Sequence, residues 1–169
     1  MDHKTIKKEV ISILVDNQAN VLTRIASLFG RRGFNIDSLT VSATNHPEIS
    51  RITVVFNGTE QALSQIITQT EKLEVVRDIF TLEAGNSLYR ELLLLKAKAD
   101  KKDRTAIREI IDIYRGKIID LSKDSMIIEL TGAPEKVDAF LDMMGCYEIA
   151  EVCRTGITGI ERGINEDNK

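Results

Sequence analysis

Arg32-Gly33-Phe34-Asn35-Ile36-Asp37 returns later in the chain as Arg115-Gly116-Lys117-Ile118-Ile119-Asp120. In each copy a helical pattern leads into the Arg-Gly pair and a strand pattern leaves it. A repeat on this scale means one supersecondary unit used twice. A second match supports the duplication. Gly58, before the second helix of the first copy, corresponds to Gly132 in the second. The spacing between the two matched sites is smaller in the second copy, so its connection between the second and third strands is shorter.

Working outward, residues 10–15 are β-branched and apolar and read as a strand, broken by the turn formers of 16–20. Val21, Leu22, Ile25, Ala26, Leu28 and Phe29 then recur at helical spacing, and Gly30 and Gly33 close that helix. Phe34 and Ile36 alternate in one phase, Leu39 and Val41 in the other, which predicts a bulge at Asp37-Ser38. Strands follow at 52–56 and 75–82, around a helix capped by Thr59. The second copy repeats this order: strand 91–99, helix 104–114, strands 118–121 and 126–130, a helix begun by Pro134, and strand 149–155. Each half therefore reads β-α-β-β-α-β, the split βαβ topology. The fold class is α+β, two tandem ferredoxin-like βαββαβ modules. The boundaries fall at 1–83 and 88–158, with 159–169 read as a tail. Each half is close to the size at which an isolated core is marginal, so pairing with another module is expected.

The composition narrows the function. The chain has 169 residues, 43% hydrophobic and 29% charged, with a formal net charge of −3. That balance gives no overall attraction for phosphate backbones or anionic lipid. Aromatics are 5% and Trp is absent, so a base-stacking platform has little to build on. No nucleic acid and no membrane partner is expected. Cys146 and Cys153 are too few for a disulfide framework or a four-Cys metal site, and they read as reduced core residues of a cytoplasmic protein. No run reaches the ~18 apolar residues of a membrane span. Charged residues at positions 7–9 interrupt any signal-peptide core.

Catalytic residues are equally scarce. The two histidines are His3, near the terminus, and His46, in a turn beside Pro47. No nucleophile–base set can be assembled, so no catalytic residue and no metal ligand is expected. The informative segment is Asp16 to Asn20, which feeds the helix beginning near Val21. A helix N-terminus offers unpaired N–H groups and a partial positive charge, and so accepts a carboxylate. Asn17 and Asn20 add amides that both donate and accept, as a zwitterion requires. Val21, Leu22 and Ile36 supply an apolar wall, and Asn35 opens a strand at a sheet edge. The same spacing also fits a purely structural role, in which Asn20 caps the helix, Asn17 makes an Asx-turn, and Val21 and Leu22 are core.

Asp16-Asn17-x-x-Asn20-Val21-Leu22-x-Arg24 and the run Arg32-Gly33-Phe34-Asn35-Ile36-Asp37-Ser38-Leu39-Thr40-Val41 resemble the amino-acid-binding ACT domain of acetolactate (acetohydroxyacid) synthase small regulatory subunits. The resemblance continues through Pro47-x-x-Ser50-Arg51-Ile52-Thr53, Arg90-Glu91-Leu92, Tyr114 to Asp120 and Arg154-Thr155-Gly156. It implies a non-catalytic subunit that activates a catalytic partner and confers feedback inhibition by valine or another branched-chain amino acid. It implies a homodimer through the ACT domain, with effector held between the pair by Asn17, Asn20, Val21, Leu22, Asn35 and Ile36. It implies that the C-terminal module contributes to activation. No cofactor is expected in this chain; thiamine diphosphate, FAD and Mg²⁺ belong to the partner. The family usually carries Gly where this chain has Asn20. Asn is the side chain that next best tolerates left-handed backbone, so the loop geometry is expected to survive, while the added bulk of this departure from the family predicts a weakened or altered effector preference. The alternative is a stand-alone ACT-type amino-acid sensor with a different target.

Overall fold

The computed structural model describes residues 5–163. The element order is β1(Lys7–Asp16), α1(Val21–Arg31), β2(Ile36–Ala43), β3(Ile49–Gly58), α2(Glu60–Thr70), β4(Val76–Thr81), β5(Ser87–Lys98), α3(Arg104–Ile113), β6(Lys117–Leu121), β7(Ser125–Gly132), α4(Pro134–Met144), β8(Ile149–Arg154) and β9(Thr158–Glu161). The chain divides into two compact units. One holds residues up to Leu88 together with those from Ile157 onward, and the other holds Tyr89–Gly156.

In the first unit the antiparallel strands run in the order β2-β3-β1-β4. This is the expected split βαβ arrangement. The alternation in β1 turns Ile11, Ile13 and Val15 toward one core, where they meet Val21, Ile25 and Phe29 of α1. Phe29 meets Phe56 edge-on, with ring centroids 5.6 Å apart and planes at 73°. Gly58 follows directly. A Cβ there would stand 2.7 Å from the Phe56 ring, so this position admits no side chain without moving that ring. The register of β2 against β3 shifts between Ile36 and Ser38, which is the bulge that the change of phase predicts. Thr59 accepts a hydrogen bond from the Ala62 N–H and caps α2.

The second unit repeats the plan with strand order β6-β7-β5-β8. Leu93, Leu95 and Ala97 of β5 pack with Ile107, Ile111, Val137, Phe140 and Met144. Tyr114 packs edge-on against Phe140 at 5.4 Å. Pro134 sits in the first turn of α4. Arg104 fastens the start of α3 by donating to the carbonyls of Ala99, Ser122 and Lys123.

Two sequence expectations are corrected. Cys146 and Cys153 are free and exposed, not core. Cys153 lies on the edge strand β8, opposite Leu94, and Cys146 follows the end of α4, where its thiol donates to the Met143 carbonyl. The stretch read as a tail contains β9, which pairs with β5, and Ile157 just before it is only 2% exposed. Residues 164–169 of that call lie outside the described residues. No helix among the described residues is long and apolar enough to cross a membrane.

Candidate functional site

Asn20 is the residue before α1 and has φ 68° and ψ 0°, the left-handed region. That geometry removes its side chain from the capping position, and it makes no capping hydrogen bond. No acidic residue stands in the first turn of α1 either. The partial positive charge of this helix start therefore has neither a side-chain cap nor a carboxylate of its own first turn beside it. The contrast with α2 is local, since that helix has both the Thr59 cap and Glu60 in its first turn.

Asn17 is fixed by the turn between β2 and β3. Its backbone N–H donates to the Glu48 carbonyl at 2.7 Å, and Nδ2 donates to the Pro47 carbonyl at 2.8 Å. The amide is thus held in one orientation, with one Nδ2 hydrogen committed to the Pro47 carbonyl. Asn20 does not cap the helix with its side chain, and the Asn17 side chain bonds the distant Pro47 turn. The loop is further pinned by Asp16, whose carboxylate pairs with Arg77 Nε at 2.6 Å. Sequence reasoning missed Arg77, Pro47 and Glu48. They reach the loop through sheet register and a distant turn, and no local spacing marks them.

Val21 is buried at the core edge of this site, whereas Leu22 is 43% exposed and stands outside the core. Asn35 is exposed and Ile36 half-buried, at the start of the edge strand β2. Their position is decisive. Ile36 pairs with Phe56, and Phe56 pairs with Glu9 near the beginning of β1. Asn17 and Asn20 follow the other end of β1, where Asp16 pairs with Ile49. At roughly 3.3 Å of rise per residue, about 20 Å of strand separates the two groups. Asn17, Asn20, Val21 and Leu22 therefore come together, while Asn35 and Ile36 lie at the opposite end of the same module. Burial pushes the Glu9 carboxyl above its ordinary value at that far end, against the opposing effect of Lys7.

The second unit carries a different polar cluster. Arg154 donates from Nε to Glu91 at 2.5 Å and from its terminal nitrogen to Asp138 at 2.6 Å. The Glu91 side chain is 4% exposed. Burial works against the guanidinium charge, but the bonds to Asp138 and Glu91 outweigh it and hold Arg154 above its usual value. A groove of about 500 Å³ in this unit, lined in part by Arg104, Arg108, Ile118 and Leu121, contains none of the six sequence-named residues. Among the described residues, no cluster of His, Cys, Asp or Glu side chains is arranged to hold a metal ion.

Comparison with known proteins places these features. Residues 11–78 match the AHAS small subunit-like ACT domain, and residues 90–163 match the family described as small subunit of acetolactate synthase. The acetolactate synthase small subunit of Mycolicibacterium smegmatis is 42% identical over 90% of each chain. A probable acetolactate synthase small subunit from Archaeoglobus fulgidus is 44% identical, covering 92% of this chain and 98% of its own. The crystal structure of the acetolactate synthase small subunit from Thermotoga maritima superposes with a TM-score of 0.86 at 37% identity, over 94% of this chain and 99% of that one. The tandem architecture, the loop before α1 and the Arg-Gly repeat thus have one common explanation: the chain belongs to the acetolactate synthase small subunit family.

Proposed function

We propose that this chain is the regulatory subunit of an acetolactate synthase: it binds the catalytic subunit, raises its activity and makes it sensitive to valine or a related branched-chain amino acid. It has no active site of its own in this reading. Thiamine diphosphate, FAD and Mg²⁺ act in the catalytic partner.

The observation that carries the reading is the division of the effector residues between the two ends of the first unit. One ligand cannot span about 20 Å of strand. Strand β2 is an edge, and a twofold pairing of two β2 edges runs antiparallel. That pairing brings Asn35 and Ile36 of one protomer to the end where its mate carries Asn17 and Asn20. The helix start of α1 then receives the effector carboxylate. The Asn17 oxygen faces the ammonium, and apolar side chains from both protomers surround the aliphatic group. Homodimerisation creates the site, so the ligand bears directly on how two protomers sit together. An effector acts on the holoenzyme by favouring one such arrangement over another.

The test is to mix the chain with an acetolactate synthase catalytic subunit and assay pyruvate condensation with and without valine, leucine and isoleucine. Increased turnover on mixing, reversed by one of these amino acids, is the expected outcome. An unaltered rate and no co-purification would instead favour a stand-alone sensor.

A further inference from the structure

The first unit is not a continuous stretch of chain. After β8 the polypeptide leaves the second unit at Gly156 and rejoins the first at Ile157. On the near side of this crossing the chain is clamped to the second sheet. Arg154 holds Glu91 and Asp138, the Thr155 N–H donates to the Leu92 carbonyl at 3.0 Å, and the Thr155 hydroxyl accepts from the Leu92 N–H at 3.1 Å. The same hydroxyl donates to the Gly156 carbonyl, and Gly156 turns the chain with φ 80°. On the far side the clamp is immediate. The Ile157 carbonyl accepts a hydrogen bond from the Thr40 hydroxyl at 3.2 Å, and Ile157 is 2% exposed. Farther along, the Arg162 N–H donates to Asn86. No slack segment separates the two sets of bonds.

Thr40 belongs to β2, the strand that begins at Ile36 and forms the edge of the first sheet. We infer that Thr155-Gly156-Ile157 is a tether that couples the β2 edge to strand β8, with Thr40 as its positioning residue. This inference rests on the reading of the β2 edge as the effector seam. A ligand that shifts β2 pulls on Ile157 through the Thr40 bond. Gly156 is the one residue between the clamps, so the covalent path from Ile157 to Thr155 and the Arg154 cluster is a single residue long. The effector's influence then reaches the second module by a short covalent path.

The experiment uses the full-length chain with Thr40→Val, which keeps the shape and removes the donor, and Thr40→Ser, which restores the hydroxyl. Ile157→Ala weakens the same anchor independently. Hydrogen exchange is measured first without effector. Losing one net hydrogen bond corresponds to about a two- to tenfold change in a local equilibrium. Amides of β8 and Thr155 are therefore expected to exchange at least about twofold faster in Thr40→Val and Ile157→Ala. Thr40→Ser and the β4 amides should match the parent. Faster exchange confined to residues 157–161 would overturn the tether, because a merely local role moves those amides alone. In the holoenzyme, Thr40→Val should leave calorimetric valine affinity within about twofold, while inhibition at saturating valine falls by at least about half, within the usual size of allosteric couplings. Full inhibition retained in both Thr40→Val and Ile157→Ala would also overturn it. Failure of the parent chain to bind any branched-chain amino acid would sink the proposed function, and the exchange measurement would still decide the tether.

Discussion

Arg115 occupies after α3 the place that Gly33 occupies after α1. Each is the second residue past its helix and has a positive φ, 56° for Arg115 and 72° for Gly33. Each closes the same pair of bonds. Gly33 and Phe34 donate back to Gly30 and Phe29, and Arg115 and Gly116 donate back to Asp112 and Ile111. The repeat aligns Gly33 with Gly116 in sequence, but the left-handed position moves by one residue. Gly116 serves a different need, since a Cβ there would approach Ile111 to 3.1 Å and the Glu129 carbonyl to 3.3 Å. Left-handed backbone costs an ordinary L-residue about 1–2 kcal/mol, partly offset by the greater unfolded freedom of Gly. Arg115→Gly should therefore stabilise the chain by about 0.5–1 kcal/mol, and Gly33→Ala should destabilise it by about 1 kcal/mol. Urea titration followed by circular dichroism reads both, and a lower midpoint for Arg115→Gly would contradict the assignment.

Asn20 presents the same backbone problem at the candidate site, and its side chain caps nothing. Asn20→Gly should gain about 0.5 kcal/mol in stability, since Asn is among the more tolerant residues in this region. By removing bulk beside the helix start it should also tighten valine binding. Asn20→Val should lose about 1–2 kcal/mol because a branched side chain fits left-handed backbone poorly. Calorimetric titration of the three chains distinguishes the effects. An unchanged valine affinity in Asn20→Gly would place that side chain outside the pocket.

Asn35 is exposed at the far end of the module from Asn17, and in the proposed dimer it would act on the site of the second protomer. Asn35→Ala should desensitise the holoenzyme to valine while leaving activation and thermal stability near the parent values. Mixing Asn35→Ala chains with Asn17→Ala chains offers a sharper measurement. Such heterodimers retain one intact site made from complementary halves, so partial sensitivity should return. Sensitivity that never returns in the mixture would argue for a site built within one chain.

The Glu91–Arg154 pair predicts a large stability effect in the second unit. Removing one partner of a buried pair leaves a stranded charge and costs about 3–5 kcal/mol. The Arg154 side chain is 28% exposed, which lowers the expectation for Arg154→Met to about 2–3 kcal/mol. Glu91→Leu combined with Arg154→Met should recover much of that loss, because no buried charge is left unpaired and Asp138, 57% exposed, stays solvated. Denaturant unfolding of the single and double variants provides the cycle. Additive losses would mean that the two residues are not energetically coupled.

The strands and helices were legible because local chemistry and tertiary packing agree along most of the chain. Ile25 and Phe29 fall at helical spacing and are buried by one sheet face; Ile36 and Leu39 announce the bulge through a change of phase. Thr59 and Pro134 mark helix starts by mechanisms that need no tertiary partner. Strand β9 was not legible. It is four residues long, contains Gly159, and is defined by pairing with β5, which composition does not encode. The exposure of Cys146 and Cys153 was hidden for a related reason, since apolar character alone does not distinguish an edge strand or a turn from a core. At the candidate site, the start of α1 at Val21 and the left-handed backbone of Asn20 were readable. The Pro47 anchor and the Arg77 pair were not, because both depend on how distant strands line up.

Strand β5 begins in one unit and continues into the other, and Ile157 carries the chain back. Dissection by simple shortening is therefore asymmetric. The second unit, residues 89–156, is one contiguous stretch, although its first boundary falls inside β5. A stop codon near residue 83, however, amputates β9 and the acceptor of Thr40 along with the second module. A phenotype from such a shortened gene reports damage to both halves at once. Splicing residues 1–88 to the segment from Ile157 onward keeps β1–β4 and the acceptor of Thr40, but it cuts β5 after Leu88 and takes from β9 most of the strand it pairs with, so deletion genetics on this chain has to score β9 separately from the second module.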